Sequence, residues 1–242
     1  MRSFQIAKRM SVLAALSAMS VAISVLAILP MRSAGQSFSR VSPSIAWSNP
    51  HHAYIIWVKP QTMDYEVNEI SLGTGQSETL AGPKTAFCSL SGLAIGPRGD
   101  LYVAGHFFGH PCGAAIEIFA RGAHGNVSPI AAIHGSRADI HNPTGIGFDA
   151  QGRLYVTEEN KDPSGSGDVK VFAAGVSGNV APMAIISGSN TQLGRTPFGV
   201  AVDTKGDIFV AQGLPNGDQI FKYPANANGN VSPIACLGGF HG

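Results

Sequence analysis

An eleven-residue segment is written three times in this chain, as GNVSPIAAIHG (125–135), GNVAPMAIISG (178–188) and GNVSPIACLGG (229–239). A second passage recurs ahead of each copy: SGLAIGPRGDLYVAGHF, TGIGFDAQGRLYVTEEN and FGVAVDTKGDIFVAQG, with the equivalent glycines Gly92, Gly145 and Gly199 spaced 53 and 54 residues apart. A period of that length marks a stacked or radial array in which each unit is one supersecondary module, burying its apolar side against the next copy.

Each unit divides into four short apolar runs. GLAIG, GIGFD and GVAVD alternate small and larger residues, as a strand with two unequal faces does. The turns PRGD, AQGR and TKGD then place glycine between two paired strands. LYVAG, LYVTE and IFVAQ have the β-branched and aromatic composition of a second strand. AIEIFA, VKVFAA and QIFKYP form a third, and the Gly-Asn-Val segment leads into a fourth. Thirty glycines and fifteen prolines spread along the chain support many short elements joined by tight turns. Four antiparallel strands per unit describe a propeller blade. Pro129, Pro182 and Pro233 are then expected in the fourth strand, because proline cannot donate to a ladder and is tolerated on an outer edge. Asn126, Asn179 and Asn230 are expected to turn the chain. Asn126 and Asn230 also fall in glycosylation acceptor patterns.

Residues 41–82 form a worn first unit, with SIAWS and YIIWV as inner strands, YEVNEIS as the third and ETLAG as the fourth. The expected fold is therefore all-β, a β-propeller of four recognisable four-stranded blades at about 41–87, 88–142, 143–196 and 197–242. The glycine turns and aromatic second strands over 91–242 resemble the NHL-repeat propellers and, more distantly, the gluconolactonase and streptogramin-lyase-like propellers. Closure with six blades, common in those families, would need about 300 residues at this spacing. Of three solutions, closure with four blades, completion by pairing with another copy, or a truncated frame, closure with four blades is the expected one.

Residues 1–35 are of a different kind. Arg2, Lys8 and Arg9 precede the apolar run 11–29, and Pro30 breaks any helix. That order reads as an export signal with a cleavage position after Gly35, and alternatively as an uncleaved membrane anchor. The leader holds four of the sixteen basic residues and none of the fifteen acidic ones, so residues 36–242 carry a net charge of −3. The basic footprint of a nucleic-acid binder is missing there, which sets that class of partner aside. A secreted or periplasmic setting also favours bridged cysteines. Cys88 and Cys112 bracket two neighbouring antiparallel strands and emerge on one face, so they are the expected disulfide, leaving Cys236 as a small core residue.

The polar residues that could carry chemistry gather on that same face. His106 and His110 end one second strand, Glu158, Glu159 and Asn160 end the next, and His141 with Asn142 leads into a first strand. The resemblance implies an active site at one mouth of the central channel, where several blades contribute metal-binding side chains. On that basis His106, His141, Glu158 and Glu159 are the candidate ligands for a divalent metal. No fixed ligand spacing supports them, and the same residues also read as a solvated loop rim. Tyr102, Tyr155 and Phe209, like Phe119, Phe172 and Phe221, recur at one register and read as inter-blade core rather than as a sugar platform. The sequence therefore favours a non-catalytic binding module for a protein, peptide or glycan, with a metal-dependent lactonase- or lyase-like enzyme as the alternative.

Overall fold

The computed structural model describes residues 45–49, 52–107, 112–160, 165–214 and 217–238. The leader and His110 lie outside them. Within them the chain forms four antiparallel sheets, each a four-stranded meander. The first contains β1 (Ile45–Asn49), β2 (His52–Val58), β3 (Tyr65–Ser71) and β4 (Ser77–Leu80). The second contains β5 (Phe87–Ile95), β6 (Leu101–Phe107), β7 (Gly113–Phe119) and β8 (Ala131–Ile133). The third contains β9 (Pro143–Phe148), β10 (Leu154–Glu158), β11 (Asp168–Phe172) and β12 (Ala184–Ile186). The fourth contains β13 (Pro197–Val202), β14 (Ile208–Leu214), β15 (Gly217–Tyr223) and β16 (Ala235–Gly238). This is a β-propeller of four blades. One 3₁₀ turn, Ser189–Thr191, is the only helix among the described residues, and none is long and apolar enough to cross a membrane.

In the third and fourth sheets the turn between the first two strands is closed by a side chain as well as by glycine. Asp149 Oδ1 accepts from the amides of Gln151 and Arg153 (both 2.9 Å), and Asp203 Oδ1 accepts from Lys205 and Asp207 (2.9 and 3.0 Å). An aspartate that captures two amides fixes the turn before the strands pair. Asp149 also meets Arg153 Nε at 2.5 Å and the Tyr155 hydroxyl at 3.2 Å, which binds turn and second strand together.

Three apolar cores lie between consecutive sheets. Tyr54, Ile56, Val67 and Leu80 of the first sheet face Leu93, Val103 and Phe119 of the second. Tyr102, Ile116 and Ile133 of the second face Ile146, Val156 and Phe172 of the third. Tyr155, Val171 and Ile186 of the third face Val200, Val210 and Tyr223 of the fourth. Five of the six recurrent aromatics are thus inter-blade core, with one change of register, whereas Phe209 is half-buried and belongs to none of these three cores. Phe119 and Phe172 lie opposite Leu101 and Leu154, and the residue opposite Ile208 is Tyr223, not Phe221. The inner strands approach closely enough to require glycine: a Cβ at Gly145 would stand 2.5 Å from the Phe198 carbonyl oxygen and 2.9 Å from the Gly199 Cα. Beside them, the Ser91 hydroxyl donates to the Pro143 carbonyl (2.5 Å) and the Thr144 hydroxyl donates to the Pro197 carbonyl.

The thrice-written segment is not the start of the fourth strand. β8, β12 and β16 begin two residues beyond Pro129, Pro182 and Pro233, so the prolines lie outside the ladder. Gly125, Gly178 and Gly229 instead reach back to the preceding sheet and bridge its outer strand at Leu80, Ile133 and Ile186. Their amides donate to Thr79, Ala132 and Ile185 (2.6–2.7 Å), and their carbonyls accept from Ala81, His134 and Ser187 (3.2–3.3 Å). Gly178 holds φ 82° there, a left-handed conformation that a side chain would strain. The asparagines act across the same junction. Oδ1 of Asn126, Asn179 and Asn230 accepts from the amides of Lys84, Arg137 and Asn190 (2.7–2.8 Å), which lie in the connections entering their own sheets. Proline fits because an extended, ladder-free segment needs no donor at that residue. The worn first unit lacks this clasp, since β3 and β4 are joined by the short connection 72–76.

Cys88 and Cys112 are joined, with Cα atoms 6.4 Å apart. Cys236 is exposed rather than packed in a core. The outer strands β4, β8 and β12 are each bridged by the following unit, whereas among the described residues β16 is not and is exposed at all four positions.

Candidate functional site

The connection arriving from one sheet, and the ends of the second and third strands, meet at the same end of each blade. In the third blade this end is the most densely charged part of the described structure. Lys170 on β11 is 2% exposed, and its ammonium pairs with Glu158 Oε2 at 2.8 Å; the Glu158 side chain is 3% exposed. Nζ also donates to the Asp139 carbonyl and lies 3.4 Å from Asp139 Oδ2 and 3.7 Å from Asp168 Oδ2. Three carboxylates therefore converge on one ammonium.

The electrostatics follow from that convergence. Burial acts against the charge of Lys170, but the Glu158 hydrogen bond and the neighbouring carboxylates outweigh it and hold the amine above its ordinary value. Burial pushes Asp168 up to about 6, against the downward pull of Lys170, and Asp168 Oδ1 is buried without a hydrogen bond. For Asp139 burial acts upward, yet the His141 hydrogen bond and the Lys170 charge prevail and hold it below the usual carboxylate range.

The four residues singled out as metal ligands occupy different surroundings. His106 is half-buried near the end of β6 in the second sheet, opposite Ser89 and Ala114. The other three belong to the third blade. The His141 amide donates to both oxygens of Glu158 (3.1 and 3.2 Å), while its imidazole Nε2 pairs with Asp139 Oδ1 at 2.8 Å. Glu159 accepts from Asn142 Nδ2 at 2.7 Å and from the Thr196 hydroxyl at 3.3 Å. Among the described residues, no group of three or more His, Cys, Asp or Glu side chains is placed to hold a metal ion. Around Glu158 the cationic place is filled by Lys170.

The fourth blade shows what this arrangement does structurally. Gln212 lies opposite Pro197 as Glu158 lies opposite Pro143, and it binds the same incoming connection, accepting from the Gly194 amide (2.5 Å) and donating to the Gln192 carbonyl (3.1 Å). Gln219 and Phe221 take the places of Asp168 and Lys170. The last residue of the second strand thus anchors the entering loop in both blades, once as a neutral amide and once as a buried ion pair. Lys170 sits between the apolar Val169 and Val171 in VKVF, and that interruption was the sequence signal for the ion pair. Asp139 and Asp168 carried no such signal.

The turn ends of the blades hold two open clefts. One, about 400 Å³, lies between the first two sheets and is lined by His52, Tyr54, Glu69, Arg98 and Arg121. The other, about 430 Å³, lies between the last two and is lined by Arg153, Lys205 and Asn226.

No protein-family model matches the chain. No curated protein matches it either. Solved structures do. A protein of unknown function from Bacteroides caccae aligns with a TM-score of 0.50 at 18% identity over 80% of this chain, which spans 59% of that protein's length. An enzyme described as a putative oxidoreductase (glucose dehydrogenase) from Thermus thermophilus aligns with a TM-score of 0.54 at 16% identity, over 80% of this chain and 68% of its own. At these identities the likeness is one of fold, and it fits a propeller.

Proposed function

We propose that this chain is an extracytoplasmic, NHL-like propeller that acts as a non-catalytic binding module for a protein, peptide or glycan. The observation that carries this reading is the state of the blade-end polar groups. Glu158, Glu159 and the His141 imidazole each have a partner inside the fold: Lys170, Asn142 with Thr196, and Asp139. Groups bound in this way hold loops in place and are poorly free to take up a substrate or a metal. The Cys88–Cys112 disulfide is consistent with an extracytoplasmic location, where such bonds form and persist.

Elemental analysis of the purified exported protein, followed by melting with and without a chelator, tests the reading. It predicts less than one equivalent of divalent metal and an unchanged melting temperature. One tightly held equivalent, lost on replacing His141 and Glu158, would establish the metal-dependent lactonase- or lyase-like alternative instead.

A further inference from the structure

Sheet packs on sheet three times in this chain, always with the same pairing of faces. The leading face of a sheet, the one turned toward the next blade, carries an aromatic on its second strand, an aliphatic on its third and a large aliphatic on its fourth. The trailing face of the next sheet carries aliphatics on its first two strands and an aromatic on its third. Wherever these faces meet they are closed to solvent. On trailing faces Val103, Val156 and Val210 are 0% exposed, as are Phe119, Phe172 and Tyr223. On leading faces Leu80, Ile133 and Ile186 are 2%, 1% and 0% exposed.

Two further faces have no sheet on them among the described residues. The leading face of the fourth sheet presents Phe209, Ala211 and Ile220 half-buried, and Leu237, the counterpart of Leu80, Ile133 and Ile186, at 54% exposure. The trailing face of the first sheet presents Ile45, Ile55 and Ile70, the register counterparts of Val200, Val210 and Tyr223, all half-buried. Among the described residues, the outer edge of β16 also lacks the glycine bridge that the other three outer strands receive. Among the described residues no fourth core joins the last sheet to the first.

We propose that these two faces are the halves of one inter-sheet interface, and that a second copy of this chain supplies the missing half to each. The argument for that occupant is continuity with the internal interfaces: at every described junction a trailing face packs on a leading face, and the fourth sheet keeps the leading pattern in Phe209, Ile220 and Leu237 while the first keeps the trailing aliphatics Ile45 and Ile55, with Ile70 in place of the aromatic. Each copy carries one face of each kind, so the contact is head-to-tail. Two copies satisfy all four faces by closing on each other across a two-fold axis, whereas contacts that fail to close would run on into fibres. The first sheet has no reaching glycine segment, so the interface between copies lacks the clasp found inside the chain. It is held by the two faces alone, with Lys222 and Asn68 among their apolar residues, and is reversible.

The test is light scattering and sedimentation of the full chain purified from the exported fraction, over a series of concentrations. A monomer passing into a dimer, with no larger species, is expected. Leu237→Glu and Ile55→Glu each place a charge on one face, and each should weaken the dimer about a hundredfold or more. A mixture of the two variants should regain dimers, because each brings the face that the other lacks. A protein that stays monomeric at every concentration would overturn the proposal. So would a dimer abolished by Leu237→Glu but untouched by Ile55→Glu, which would mean that two fourth sheets pair with each other. Leu237 is solvent-facing, so its replacement leaves the fold intact. Should Ile55→Glu fail to fold, hydrogen exchange of the unaltered protein decides: slowing in β2 and β16 together on raising concentration supports the proposal, and slowing in β16 alone refutes it.

Discussion

Replacing Lys170 with methionine isolates the buried ion pair. The ammonium is 2% exposed and Glu158 is 3% exposed, so the substitution leaves a buried carboxylate whose remaining donor is the His141 amide. Removing one member of a buried pair costs about 3–5 kcal/mol, because the other charge stays desolvated and uncompensated. For a domain of this size each kcal/mol lowers the melting temperature by about 2–4 °C, so Lys170→Met should melt about 6–20 °C below the unaltered protein. The fourth blade supplies the control, since it builds the same junction from Gln212, Gln219 and Phe221 with no charge. The triple variant Glu158→Gln, Asp168→Asn, Lys170→Met should therefore return to within about 2 kcal/mol of the original stability, as neutral replacement of buried ion pairs often does. Urea unfolding followed by fluorescence and circular dichroism measures all the variants. A Lys170→Met cost under about 1 kcal/mol, or a triple variant no better than the single one, would refute the reasoning.

Other perturbations address other parts of the structure. Asn179→Ala leaves the Arg137 amide without its 2.7 Å acceptor, and unfolding experiments should show a loss of about 1 kcal/mol. Gly145→Ala drives a methyl group into the main chain at Phe198 and Gly199, and the same experiments should show a loss of about 1–3 kcal/mol. Glu117 is buried, its Oε2 has no hydrogen-bond partner, and burial pushes it up to about 7. A carboxyl raised in the folded state contributes stability that is complete below its unfolded value of 4.5 and lost as pH climbs through about 7. Stability should thus fall by up to roughly 3 kcal/mol between those limits, and Glu117→Gln should flatten that part of the pH profile.

The architecture was legible because the repeat exposes it three times. Turn glycines, aromatic second strands and the 53-to-54-residue period together admit little except consecutive small sheets. The Cys88–Cys112 bridge followed from strand order. The Gly-Asn-Val segment was misjudged for a physical reason. Its bonds go to another sheet, and a one-dimensional reading assigns the proline to the nearest strand instead of to a clasp between strands far apart in sequence. Cys236 was misjudged in a similar way: its equivalents Ala132 and Ile185 are half-buried and their carbonyls are bonded by the glycine segment of the next unit, whereas β16 is exposed at all four residues. The candidate site was legible only as a gathering of polar residues at one end. That Glu158 would be neutralised by Lys170 depends on a cross-strand diagonal and on a loop arriving from the preceding blade, neither of which is visible in local spacing.

Hydrogen exchange resolved at single amides tests the central claim most directly, since the blades are held in sequence by segments that each reach back to the sheet before. The amides of Gly125, Gly178 and Gly229, which donate to Thr79, Ala132 and Ile185, should exchange as slowly as those in the middle strands, although they lie in irregular, surface-running chain. Exchange at all three sites as fast as in an open loop would contradict the account.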